Sequence, residues 1–154
     1  MAGPSASAGN YPIAVDVADD DGGTDQATLA SGYTVYNIPS TILQPINYTG
    51  PRSMFKLGST IPVRITVKSC AGASVGNLLP QVRLTMGDNI PDGTDLEPTS
   101  TAAPTVGTAM RYDATGAQYI YNLATKGLSA GDWSVRIDDP SFAKPVDALF
   151  SLKK

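Results

Sequence analysis

A chain of 154 residues can bury one ordinary core. Its net charge of −3 and its eleven scattered Lys and Arg argue against nucleic acid or anionic lipid as a partner, since both need clustered positive charge. With no histidine, Ser-His-Asp and Cys-His catalysis are excluded; one cysteine, Cys70, excludes an internal disulfide and a cysteine-cluster metal site.

The first ten residues, MAGPSASAGN, lack the basic and apolar regions of a signal peptide and read as a flexible lead-in over 1–10. Tyr11–Ala18 alternates, with Ile13, Val15 and Val17 on one face, and predicts a strand. Asp19–Asp25 is a Gly- and Asp-rich turn. Gln26–Tyr36 predicts a second strand, kinked at Gly32. Residues 11–37 thus form a hairpin, which is marginal in water unless something packs on it. Pro39, Pro45 and Pro51 make residues 38–52 an extended connector and a domain boundary, with a short strand at Thr41–Leu43.

From residue 53 the strand pattern is continuous. Met54–Leu57 predicts a short edge strand, and Ile61–Ser69 a strand with Ile61, Val63, Ile65 and Val67 inward. Pro62 falls at its start, where a missing N–H does least damage. Cys70–Asn77 is a loop in which Val75 can dip toward the core. Cys70 itself, without a basic neighbour, reads as buried or inert. Pro80–Met86, a strand opening at Arg111, Gln118–Leu123, Trp133–Asp138 and Val146–Lys153 complete the strands, and residues 87–107 form a long loop. No helical period of useful length occurs. The fold class expected is all-β: an immunoglobulin-like antiparallel β-sandwich over 53–154 with an N-terminal β-hairpin extension.

Candidate sites are few. Asp19, Asp20, Asp21 and Asp25, with Asp16 nearby, supply enough carboxylates for Ca²⁺, although the spacing is not that of an EF-hand loop; a solvated turn is the competing reading. Asp88, Asp92, Asp95 and Glu97 form a second acidic group in the long loop. Tyr119, Tyr121 and Trp133 are either a sugar-stacking strip or core filling, and filling is the favoured reading. Lys56, Lys126 and Asn122 are the residues available for a Lys–Asn isopeptide bond. The acids sit mainly in turns, so no catalytic pair stands out and no enzyme is expected.

Two stretches resemble known modules. YPIAVDVADDDGGTDQATLASGYTVYN (Tyr11–Asn37) resembles the last two strands of a PKD-type domain. Leu43–Lys154 resembles the PxKF-type domain through QPINYTGPRSMFKLGSTIPVRITV, YDATGAQYIYNLATKGLSAGDWSVRID and the final SLKK. The naming motif falls on Pro62-Val63-Arg64-Ile65, with Arg and Ile in place of Lys and Phe. The resemblance implies an immunoglobulin-like module of secreted or cell-surface proteins, without catalysis of its own.

The function expected is therefore a non-catalytic extracellular module with a structural or adhesive role. Its expected partners are neighbouring domains or copies of itself, and Ca²⁺ is the one cofactor considered. The alternatives are a surface or filament subunit joined by strand exchange through the hairpin, and a carbohydrate-binding module that takes glycan.

Overall fold

The computed structural model describes residues 7–88, 98–101 and 107–154. Its elements are β1 (Gly9–Ala18), β2 (Thr24–Val35), β3 (Ile38–Pro39), β4 (Ser53–Lys56), β5 (Thr60–Ile65), β6 (Val67–Lys68), β7 (Gln81–Met86), β8 (Arg111–Asp113), β9 (Gln118–Ala124), β10 (Gly131–Asp138) and β11 (Val146–Lys153). No helix occurs among the described residues.

Period-two alternation builds the two facing layers. Along β5, Ile61, Val63 and Ile65 are buried and the residues between them are not; β9 and β11 repeat the pattern. One layer is β4-β11-β10-β7, and the other is β5-β9-β8. All pairings in them are antiparallel except β4 with β11, which is parallel. Short β3 pairs with β6 in a separate two-stranded sheet, β6 following β5 directly after Thr66. The chain crosses between the layers after β4, β6, β7 and β9, while β8–β9 and β10–β11 are hairpins within a layer. That is the Greek-key strand order of an immunoglobulin-like sandwich.

The core lies between the layers. Trp133, Tyr119, Tyr121 and Phe150 are its largest members, each at most 1 % exposed. Aliphatic residues such as Ile61, Leu84 and Ile137 fill the gaps, each stabilising the fold by roughly 1.5–3 kcal/mol through burial. The turn after β9 is closed by a bond from Leu128 N–H to Thr125 O, with Gly127 at φ 101°. Gly supplies that left-handed conformation without a Cβ clash.

Three sequence expectations change here. The strand predicted over Ile61–Ser69 breaks at Thr66, where its partner changes from β9 to β3. Thr66 N–H donates to Ser40 Oγ at 3.0 Å, and Thr66 O accepts from Ser40 N–H at 2.7 Å. The proline-rich segment 38–52 belongs to the sandwich: Ile42 and Ile46 are buried in its core. There is no strand at Thr41–Leu43; instead Leu43 N–H donates singly to Arg64 O at 2.8 Å, and the strand in this segment is β3. Prolines limit ladder formation without preventing core contacts.

β1 and β2 form a two-stranded antiparallel ribbon of their own. Its register shifts between Tyr11 and Ile13, which pair with Tyr33 and Leu29. Pro12 lies at that irregularity. It has no N–H for the ladder, so the extra residues of β2, around Gly32, bulge opposite it. Beyond Val35 the chain is anchored to the sandwich: Asn37 N–H donates to Ser141 O at 2.9 Å.

Candidate functional site

The ribbon is the most exposed structured part of the chain. Every residue of β1 and β2 is solvent-exposed except Tyr11, Gly32 and Val35. Directly paired residues share a face in an antiparallel ribbon. Tyr11–Tyr33, Ile13–Leu29, Val15–Ala27 and Val17–Asp25 therefore define one face, and Asn10–Thr34, Ala14–Thr28, Asp16–Gln26 and Ala18–Thr24 the other. The first is apolar along most of its length. The second is polar and locked by cross-strand bonds: Gln26 Nε2 donates to Asp16 Oδ1 at 2.5 Å, and Thr34 Oγ1 to Asn10 Oδ1 at 2.8 Å. At the base of the apolar face the Tyr11 and Tyr33 rings stack, with centroids 5.4 Å apart.

On the apolar face, Leu29 is 63 % exposed, Val17 59 % and Val15 52 %. Side chains of this size are normally covered, and a contiguous exposed group of them marks an interaction surface. Alternation in the sequence shows that this face exists. It cannot show that nothing among the described residues covers it, because coverage is decided by packing at a distance.

The acidic turn at the tip is organised by its own backbone. Asp19 Oδ1 accepts from Gly23 N–H at 2.5 Å, Asp19 N–H donates to Gly23 O at 2.9 Å, and Gly22 takes φ 87°. Asp25 Oδ1 accepts from Gln26 N–H, and Asp16 is engaged by Gln26. Asp20 and Asp21 stand exposed in the turn. Among the described residues no three carboxylates converge into a group that could hold a metal ion.

Of the second acidic group, Asp92, Asp95 and Glu97 lie outside the described residues. Asp88 pairs with Arg52 at 2.8 Å, and Arg52 also reaches Asp132 at 2.8 Å. A bond from Ser151, then the one from Arg52, holds the Asp132 carboxyl below the usual carboxylate range; the same pairing raises Arg52. This network ties β4, β10 and β11 together at the surface.

The aromatic candidates are core. Trp133 Nε1 donates to Ser129 O at 3.0 Å, Tyr121 Oη donates to Pro98 O at 2.7 Å, and Tyr119 Oη accepts from Leu78 N–H at 3.0 Å. Burial pushes the Tyr119 phenol above its ordinary value. With their rings enclosed, these three cannot form the sugar-stacking strip that a carbohydrate-binding reading requires. Lys56 and Lys126 are exposed and Asn122 is half-buried on β9, so the isopeptide residues do not share a buried position. Of the two readings of Cys70, buried or inert, burial does not hold: Cys70 is exposed on its Gly- and Ser-rich loop, while Val75 of the same loop packs against the core.

A feature with no sequence signal is an open groove where the ribbon meets the sandwich. It is lined by Tyr36, Ile38, Pro39, Tyr48, Lys144 and Pro145, brought together from three separate stretches.

Fold and surface together define a class: an immunoglobulin-like β-sandwich carrying an exposed, amphipathic hairpin. No protein-family model matches the chain, and no curated protein matches it. Among solved structures, it is similar to the titin Ig tandem domains A164-A165, at 10% identity and a TM-score of 0.32. The match covers 94% of this chain and 61% of that one, so the chain spans less than two thirds of its length. A likeness this distant carries no argument, and the assignment of the fold stands on strand order alone.

Proposed function

We propose that this chain is a non-catalytic immunoglobulin-like module with a structural or adhesive role in an extracellular or cell-surface assembly. It acts by presenting the hairpin to protein partners. The observation that carries this reading is the contrast between the two parts: a closed sandwich that uses its large aromatics as filling, beside a ribbon with an uncovered apolar face. The resemblances of Tyr11–Asn37 to a PKD-type hairpin and of Leu43–Lys154 to a PxKF-type domain support placement outside the cell. The absence of histidine from the sequence supports the non-catalytic part.

Two measurements test it. Fractionation of the producing cells should place the protein at the surface or in the medium, and a purely cytosolic pool overturns the placement. A hydrolase and transferase substrate panel should give no turnover; turnover that persists through purification overturns the non-catalytic role.

A further inference from the structure

We propose that the groove at the base of the ribbon binds a short stretch of acidic glycan, a few sugar rings that carry a carboxylate. The enclosed aromatics of the core take no part. The site is built from side chains outside it, and it is independent of the hairpin's apolar face.

Shape and aromatic surface come first. The groove holds about 440 Å³, inside the range of roughly 300–1,000 Å³ usual for small-ligand sites. Tyr36 is 43 % exposed and Tyr48 54 %, and neither ring packs on another aromatic among the described residues. A sugar ring has a face of C–H groups and a rim of hydroxyls. An exposed tyrosine offers the complement: a flat apolar face, little side-chain entropy to lose, and a polar tip.

The polar groups of the groove are unspent. Tyr36 Oη, Tyr48 Oη and Thr41 Oγ1 have no hydrogen-bond partner among the described residues. Hydroxyls that both donate and accept suit a ligand whose rim does the same.

Charge selects an acidic sugar. Asp147, on the groove wall, is neutralised by Arg136 at 2.7 Å. Lys144 lines the groove without an ion-pair partner among the described residues. Lys68, equally unpaired there, is the direct cross-strand partner of the groove residue Ile38 and shares its face. The uncompensated charge is therefore positive, and a ligand carboxylate complements it.

The backbone argues against an extended peptide. Strand addition needs an open edge. Here β3 is paired with β6, Asn37 bridges Phe142, and Ser40 N–H is spent on Thr66 O.

The test is calorimetric titration of the full chain with trigalacturonate, a hyaluronan tetrasaccharide and sialyllactose, with galactotriose as the neutral control. At least one acidic sugar should bind at least about tenfold more tightly than galactotriose, and added salt should weaken it. Tyr48→Ala and Lys144→Ala should each weaken binding at least about fivefold, and Lys144→Arg should retain it. Both positions are exposed, and an unchanged near-ultraviolet spectrum of Trp133 verifies that the sandwich is folded. Absence of binding by all three acidic sugars overturns the proposal. So does binding that both alanine variants leave unchanged, or a neutral sugar that binds as tightly as the acidic ones. A peptide alternating proline and glutamate that binds through Tyr48 and Lys144, where the sugars do not, also overturns it and gives the groove to a protein ligand. None of these outcomes touches the module reading, whose tests are location and turnover.

Discussion

The side chain of Ile13 lies directly over Gly32: a Cβ on Gly32 would stand 2.4 Å from Ile13 Cγ1 and 2.8 Å from its Cβ. Contacts this short reach the stem of Ile13, so rotating its outer atoms cannot relieve them.

Gly32→Ala should therefore displace Ile13 and distort the bulge opposite Pro12. Because the ribbon lies outside the sandwich core, the main unfolding transition should move by less than about 1 kcal/mol. Amide exchange across β1 and β2 should quicken. Unchanged ribbon protection would show that the close approach is dispensable.

Tyr121→Phe should release the segment 98–101. The hydroxyl donates to Pro98 O, and the same segment is held by Thr101 N–H to Asn122 O and by Ala124 N–H to Thr99 O, both at 2.8–2.9 Å. The expected cost is about 0.5–1.5 kcal/mol in urea denaturation, with faster exchange at Thr101 and Ala124. A destabilisation without faster exchange at those two amides would assign the hydroxyl a different role.

The raised Tyr119 phenol predicts a pH dependence whose sign follows from linkage. The folded protein holds this proton more tightly than the unfolded chain, whose phenol has the ordinary value of 10.0. The associated stability is present in full below about pH 10 and is lost as pH rises through the folded value. Denaturation at successive alkaline pH values should show a shallower decline for Tyr119→Phe than for the wild type. Equal slopes would mean that another group governs alkaline unfolding.

Arg64 occupies the third position of Pro62-Val63-Arg64-Ile65, and its guanidinium donates from Nε at 3.0 Å and from Nη2 to the carbonyl of Gln44. It thereby fastens the 44–46 segment over β5. Arg64→Ala should cost about 0.5–1.5 kcal/mol and expose Ile46. Arg64→Lys, with charge but no fork, should recover part of that loss. Chemical denaturation of the three proteins orders them, and an alanine variant as stable as the wild type would remove the fastening role.

The fold was legible wherever one strand face is buried and the other wet. β9 and β11 alternate in sequence as they do in space, and β11 spans the predicted Val146–Lys153; in β10 the polar Ser134 is buried as well. Legibility failed where the cause is not local. Ile42 and Ile46 enter the core from a segment without period, because one backbone bond to β5, from Leu43 N–H to Arg64 O, and the Arg64 side chain on Gln44 O position them instead of a ladder. The break at Thr66 leaves no mark either, since Ile65 and Val67 keep the inward alternation while the partner strand changes. For the candidate site, the hairpin and its kink at Gly32 could be read directly. The groove at its base could not, as Tyr36, Tyr48 and Lys144 are distant in sequence.

The parallel pairing of β4 with β11 has a consequence under tension. Ser53 to Lys56 lie alongside Phe150 to Lys153, so pulling the chain from Arg52 and from Lys154 drives the strands past each other in shear. Their bonds, with that of Leu57 N–H to Lys153 O at 2.7 Å, must then yield together. The ribbon opens differently: pulled from its base, β1 peels from β2 one pair at a time. Stretching single molecules should therefore give a low-force extension of roughly 90 Å from the ribbon before the sandwich yields. One rupture without that early extension would exclude the sequence of events. A chain built this way combines a compliant leader with a stiff anchor in one short polypeptide.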